Sequence, residues 1–405
     1  MGDRRGGRLP PTARGRHTAR ALTAPTQSND GILVDTELRA LVARGVVRSE
    51  RPVEPGQIQP ASLDLRLGAV AHRIRAGFLP EEETVHERLA ELESERFDLE
   101  RGAVLEPGGI YLIPLLESLS LPPELSARSN PKSTTGRLDL FTRVLVDRNA
   151  RFDDVPGGYS GSLFIEVAPR SFPVRVRTGD RLTQQRFYRG DSALSDRELR
   201  SLAEREPLAF SERGEAIAPD RLLFDGEGGI VYRLQLGGTD PVGYRARRYT
   251  GVVDLARERA HDPAEYWDPI YAKRGAVLME PEQFYIFASK ERLRVPPGYA
   301  AEMLPIDVGV GELRTNYAGF FDPGFGDAPA GAPAGTPAIL EVRPHDVPFL
   351  VEDRQVFFRL KYFRCTSQPE QRYGVGSLGS HYASQRLALA KQFLEPAARP
   401  HKPPT

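Results

Sequence analysis

The chain has 405 residues, enough for two ordinary domains or one large one. Lysine plus arginine and aspartate plus glutamate each number 55, so the formal net charge is 0, which argues against a general nucleic-acid coat. Cys365 is the only cysteine, so an intrachain disulfide scaffold is excluded, as is any zinc site that needs two thiolates.

Proline (35) and glycine (38) exceed average usage and, together with many short apolar runs, favour β structure with frequent turns. No run of eighteen apolar residues occurs, so no membrane-spanning helix is expected. The first 25 residues are arginine-rich and lack the apolar core of a secretion signal, which makes a cytoplasmic protein the expectation. Residues 1–28, basic and containing proline, glycine and serine, read as a disordered tail.

Residues 32–45 predict a short amphipathic helix with Leu38, Leu41 and Val42 on its apolar face, Asp35 as cap and Gly45 near its stop. Residues 56–74 contain SLDLRLG, whose alternation sets Leu63, Leu65 and Leu67 on one face and Ser62, Asp64 and Arg66 on the other. Asp64 is either a solvated strand residue or the organiser of a subunit contact or substrate loop. Residues 82–101 are charged and helix-compatible, and 102–123 return to strands and turns. The central stretch follows, opening as KSTTGRLDLFTRVLVD and closing on GGYSGSLFIEV, which leaves one acid, Glu166, inside an apolar strand. Residues 172–188 alternate as a strand with a Gly-Asp turn at 179–180, and 191–207 read as a charged helical linker.

The chain then repeats itself. GAVLEP at 102–107 returns as GAVLMEP at 275–281, LRLG at 65–68 as LQLG at 234–237, and FIEV at 164–167 as ILEV at 339–342. The terms keep their order, as a diverged tandem duplication requires. The expected division is a first β domain over 29–205, a second, diverged one over 206–370, and a glycine-rich closing segment, terminal helix and tail over 371–405. APAGAPAGTP at 328–337 reads as a flexible insertion in the second copy, and Leu387, Leu389 and Leu394 as part of the terminal helix.

A carboxylate buried among apolar neighbours has its pKa raised toward that of a useful general base. Glu166, between Ile165 and Val167, fits this pattern, and so does Glu341, between Leu340 and Val342. The alternative for each is a strand glutamate facing solvent or paired with an arginine. Lys132, Ser133, Thr134 and Arg137 offer cationic and hydroxyl groups for a polyphosphate, or form a loop that satisfies its own backbone. The spacing is not that of a P-loop, and no His/Cys–Glu plus paired-cysteine motif of a zinc deaminase occurs. Tyr159, Phe320, Phe321 and Phe325, in glycine-rich turns, either stack on a base or pack the core, and Tyr373 sits in a loop whose glycines permit closure.

These residues together resemble the dCTP deaminase family, a branch of the dUTPase-like β-clip fold. DTELRALVARG and PASLDLRLG resemble its N-terminal helix and first signature strand, and KSTTGRLDLF its Arg-Ser-Ser and Arg-Leu-Gly segment, with Lys132 where an arginine is usual. GYSGSLFIEV resembles the strand that carries the family's catalytic glutamate. The usual His-Arg-Ile-Asp-Pro-Gly-Trp is NARFDDVPGGYSG in the first copy; the second keeps FFDPGFG but has PIDVGVGELRTN in place of a Ser/Arg segment. YGVGSLGSHYASQ resembles the lid that closes over the triphosphate.

The resemblance implies a mainly β chain of tandem duplicated β-clip domains with short flanking helices. It implies metal-free attack of water on C4 of dCTP, releasing ammonia and dUTP. Glu166 would be the base, Ser133 would hold the water, and Arg137 and Arg151 would bear on ring and phosphates. Lys132, Thr134, Tyr159, Tyr373 and Gln385 are the expected substrate contacts, and Glu341 is expected to be structural. Mg2+ would enter as the nucleotide's counter-ion, without zinc, in a homo-oligomer with threefold or pseudo-threefold arrangement. The rival is a dUTPase, or a bifunctional enzyme giving dUMP, with Asp139, Asp147 or Asp153 as base; a non-catalytic nucleotide sensor is a third reading.

Overall fold

The computed structural model describes residues 29–305, 313–315, 319–327, 332–371, 373–374 and 387–396, the segment 313–315 by its backbone alone. Its framework follows from the apolar strands. Leu163 to Val167 are buried without a break, the mark of a strand covered on both faces. The strand that holds them, Ser160–Pro169, runs antiparallel between Ile110–Ser120 and Leu140–Val146, with Glu166 opposite Leu112 on one side and Arg143 on the other.

The second copy repeats this plan. Thr336–Pro344 lies between Tyr285–Leu293 and Leu313–Thr315, with Glu341 opposite Ile286. Each copy also has a second sheet. In the first, Leu125–Pro131 pairs with Thr183–Arg189 and with Asp154–Val155. In the second, Tyr299–Pro305 pairs with Val356–Arg364 and with Phe320–Phe321. Even a side-chain staple recurs: the Tyr111 hydroxyl accepts from the Glu106 amide at 3.0 Å, and the Tyr285 hydroxyl from the Glu280 amide at 2.8 Å. The fold is therefore mainly β and internally duplicated.

The two copies share material. Val253–Asp254 of the second copy adds in parallel to Val174–Val176 of the first, and the Arg177 guanidinium grips both Asp254 oxygens at 2.6 and 2.9 Å. Trp267, Phe284 and Phe393 from beyond residue 206 pack into the first copy's core. Asp139, fully buried, pairs with Arg343 across the junction and accepts from the Ser171 hydroxyl at 2.5 Å.

Several local readings are corrected by this packing. The first helix spans Asp35–Ala43, but Val34 occupies the cap position. Asp35 is fully buried and accepts from the amides of Glu370 and Gln371 at 3.0 and 3.2 Å, tying the helix to the end of the second copy. Asp64 and Arg66 are buried rather than solvated, since the polar face of their strand also faces protein. The helix Asp196–Arg205 forms as expected, with Leu199, Leu202 and Ala203 packed into the second core. Residues 387–396 are not helical: the carbonyls of Lys391 and Gln392 accept from the amides of Arg259, Ala260 and His261, which draws the backbone into tertiary bonds. The described part of the 328–337 insertion is held by Arg292, which donates to the carbonyls of Ala334 and Gly335 at 2.9 and 2.7 Å.

Asp153 stands at a positive φ of 64° and accepts from the Val144 amide at 2.8 Å. Burial pushes its carboxyl from 3.8 up to about 7, against the pull of that hydrogen bond and of Arg143. Between these two values the folded chain binds more protons than the unfolded one, so stability falls as pH rises through the window. Asp153→Asn keeps the acceptor and suits the left-handed backbone. Melting temperatures measured from pH 4 to 8 should show a shallower decline for this variant than for the parent chain.

Candidate active site

A cavity of about 550 Å³ opens where the copies meet. The first copy contributes the segments around Asp64, Lys132–Arg137 and Asp180–Gln184, the second the turn around Phe320–Phe325 and the strand around Glu341. Tyr373, Gly374, Lys391 and Gln392 line it from the terminal segment.

The central wall is the helical turn Ser133–Arg137. Lys132 enters it in extended conformation, and its amide donates to the Leu182 carbonyl at 3.0 Å. The Thr135 hydroxyl donates to the same carbonyl at 2.7 Å, which fixes the turn against the neighbouring strand. Ser133 and Thr134 are left half-buried on the cavity side. The buried Arg137 donates to the carbonyls of Ala388 and Leu389 at 3.2 and 3.4 Å, so the terminal segment sets its position.

Glu341 packs onto this turn from the other copy. A Cβ on Gly136 would lie 2.7 Å from Glu341 Cδ, so only glycine lets the carboxyl group come this close. Glu341 is 3% exposed and lines the cavity. A carboxyl group, a serine hydroxyl and a guanidinium are thus brought to one cavity from the two copies.

Beside them Asp64, 2% exposed, meets the Lys132 ammonium at 2.5 Å and Arg181 at 3.8 Å. Burial lifts its carboxyl above the ordinary range, opposed chiefly by Lys132. Lys132 and Arg181 form the cationic end of the cavity.

The turn Phe320–Gly326 presents aromatic rings to the same cavity. Phe321 and Phe325 meet edge to face at 4.8 Å, and Tyr373 lies against Phe325 at 5.4 Å. Arg186 of the first copy holds this turn. Fully buried, it donates to the carbonyls of Ala301 and Phe321 at 2.9 and 2.8 Å and to Asp322 at 3.0 Å, and it stacks on Phe320 at 4.1 Å.

The cavity therefore gathers Lys132, Ser133, Thr134, Arg137 and Tyr373. It does not gather the other expected residues. Glu166 lies in a different place: 2% exposed, it pairs with Arg143 at 2.5 and 3.1 Å and borders a second cavity of about 850 Å³. The expectation that Glu166 works beside Ser133 and Arg137 is not met within one chain, and Glu341, expected to be structural, stands there instead. The Arg151 side chain is 74% exposed and pairs with Asp154 at 2.8 Å, away from the cavity. The Tyr159 hydroxyl donates to the Ser162 carbonyl at 2.6 Å and staples its own turn. Gln385 lies outside the described residues. Asp139, Asp147 and Asp153 are also absent from the lining: Asp139 faces Arg343, Asp147 accepts from the Val85 amide, and Asp153 from that of Val144.

Asp322, Arg181, Gln184 and Arg186 were not foreseen. One signal for the composite site is present in the sequence: each copy keeps the motif that the other has lost, KSTTGR in the first and FFDPGFG in the second.

The chain matches the family model of the 2'-deoxycytidine 5'-triphosphate deaminase N-terminal domain over residues 29–191, and that of the C-terminal domain over 195–393. It is 33% identical over 171 residues to a "dCTP deaminase, dUMP-forming" of Methanoculleus marisnigri, covering 40% of this chain and 82% of that one. It is 29% identical over 161 residues to a "dCTP deaminase" of Ignicoccus hospitalis, covering 40% and 84%. A crystal structure of 2'-deoxycytidine 5'-triphosphate deaminase from Agrobacterium tumefaciens aligns with a TM-score of 0.77 and 45% identity, covering 83% of this chain and 99% of that one.

Replacing Arg186 by methionine would leave Asp322 and two carbonyls without their buried donor. Breaking a buried ion pair on one side costs about 3–5 kcal/mol. Chemical denaturation of Arg186→Met should show a loss on that scale, and Arg186→Lys, which cannot reach all three acceptors, should recover only part of it.

Proposed function

The chain belongs to the dCTP deaminase family, and from that premise we propose that it hydrolyses dCTP to dUTP and ammonia in the cavity between its two copies. The observation that carries this reading is the contact of Glu341 with Gly136, on the turn that bears Ser133 and Arg137. In this reading Glu341 is the general base. Ser133 and a backbone carbonyl hold a water molecule over C4 of the cytosine ring. Glu341 takes a proton as the water oxygen bonds to C4 and passes it to N3; it then moves the remaining hydroxyl proton to the amino nitrogen, and the C4–N bond breaks as the C4 carbonyl forms, releasing ammonia. Arg137 bears on the ring and fixes its orientation.

Lys132, Thr134 and Arg181 meet the triphosphate, where cationic and hydroxyl donors are of greatest use. The aromatic turn and Tyr373 pack against the nucleoside. Mg2+ enters with the triphosphate as part of the substrate. Cytoplasmic location and assembly into a threefold or pseudo-threefold homo-oligomer belong to the same reading.

A second reading gives dUMP, since some relatives bear that name. It needs a carboxylate to activate water at the phosphate end. Of the aspartates that line the cavity, Asp64 is taken up by Lys132, Asp180 by the Arg177 amide at 2.7 Å, and Asp322 by Arg186. Asp64, whose carboxyl is raised by burial, is the base that this second reading would use.

Incubation with dCTP, followed by assay of ammonia, dUTP, dUMP and pyrophosphate, separates the readings. Ammonia with dUTP is expected; ammonia with dUMP and pyrophosphate would support the second reading, and no ammonia would remove both. Glu341→Gln should lower kcat by roughly a hundredfold or more, the scale of a lost general base, while still binding dCTP. Glu166→Gln should leave kcat within a fewfold of the parent value; a collapse of kcat in the folded Glu166 variant alone would return the base to the first copy.

A further inference from the structure

We infer that the chain carries a single working site, completed in cis, and that the Arg143–Glu166 ion pair has turned the matching half-site of the first copy into a structural contact. The inference rests on the reading of Glu341 as the base and extends it to the number and origin of sites in any assembly.

The first ground is the count of parts. A site of this kind needs a glutamate and a Ser/Arg turn. The chain holds two glutamates in equivalent strands, Glu166 and Glu341, but one such turn, Ser133–Arg137. The second copy has PIDVGV where the first has PKSTTGR, with neither the serine nor the arginine. One turn per chain limits the working sites to one per chain, however many chains assemble.

The second ground is which glutamate holds the turn. Glu341 sits on Gly136 within the same chain. A Glu166 from another chain would have to displace it, together with the interlock that Arg186 makes with Asp322 and that Arg343 makes with Asp139.

The third ground is the state of Glu166. Its Oε1 accepts two donors of Arg143, and that guanidinium is stacked on the Phe152 ring at 3.8 Å. Backbone closes over the pair as well: a Cβ on Gly77 would lie 2.6 Å from Glu166 Oε2 and 3.0 Å from Arg143. Although a cavity borders this pair, a carboxylate already held by a charge-assisted pair is engaged before any water arrives.

Mixing two inactive chains tests this. Ser133→Ala and Glu341→Gln variants are each assayed alone, then unfolded together and refolded as a mixture, with the parent chain refolded as control. Sites completed in cis cannot be rebuilt, so the mixture should show no more ammonia release than the sum of the two variants. Restored activity means that turn and glutamate come from different chains, and it overturns the inference. Calorimetric titration of Glu341→Gln with dCTP should give one nucleotide per chain; two per chain would likewise overturn it. The deaminase reading fails separately, if the parent chain releases no ammonia from dCTP.

Discussion

A guanidinium taken wholly out of water must find an acceptor for its donors, and Arg186 finds its acceptors across the junction of the two copies. It belongs to a strand of the first copy, yet its partners are two carbonyls and a carboxylate of the second, with Phe320 beneath its plane. The desolvation cost makes the arrangement nearly all-or-none, because a small separation of the copies would strand both charges. The turn it grips is the aromatic wall of the cavity. Cohesion of the copies and shape of the site therefore rest on the same few contacts, which Asp139–Arg343 and Arg177–Asp254 reinforce from other directions.

The duplication has been resolved by division of labour. The framework strands stayed alike, down to the paired Tyr111 and Tyr285 staples, because each copy must still bury its own sheet. The segments facing the cavity differ between the copies: it is lined by the Ser/Arg turn of the first and by the Phe320–Phe325 turn and Glu341 of the second. The second copy lost the Ser/Arg turn and kept its glutamate next to the turn of its neighbour. The first kept the turn, and its own glutamate acquired an arginine. Two strands with nearly the same sequence, FIEV and ILEV, so hold carboxylates in different surroundings: Glu166 beside Arg143, Glu341 against Gly136.

Much of the framework was legible without coordinates. Alternation and short apolar runs set out the strands, short repeated segments exposed the duplication, and the spacing of Leu38 and Leu41 located the first helix. All of these are local signals, or comparisons of local signals. The carboxylate that packs on the Ser133–Arg137 turn was not local. Glu166 follows it in the same copy and looked the natural choice, while Glu341 reaches it only through the packing of one copy on the other. The same limit explains residues 387–396, whose leucines suggested a helix but whose carbonyls are claimed by Arg137 and by the backbone of residues 259–261. The alternation left Asp64 open between a solvated face and a substrate loop, because nothing in an alternating pattern says whether both sides of a strand will be covered.

Placing the two walls of the cavity on one polypeptide changes how the site depends on abundance. Walls on separate subunits meet only as often as association allows, and dilution empties the site. Walls joined by a chain keep an effective local concentration of about millimolar or more, whatever the amount of protein present. A scarce enzyme of this design would stay fully assembled.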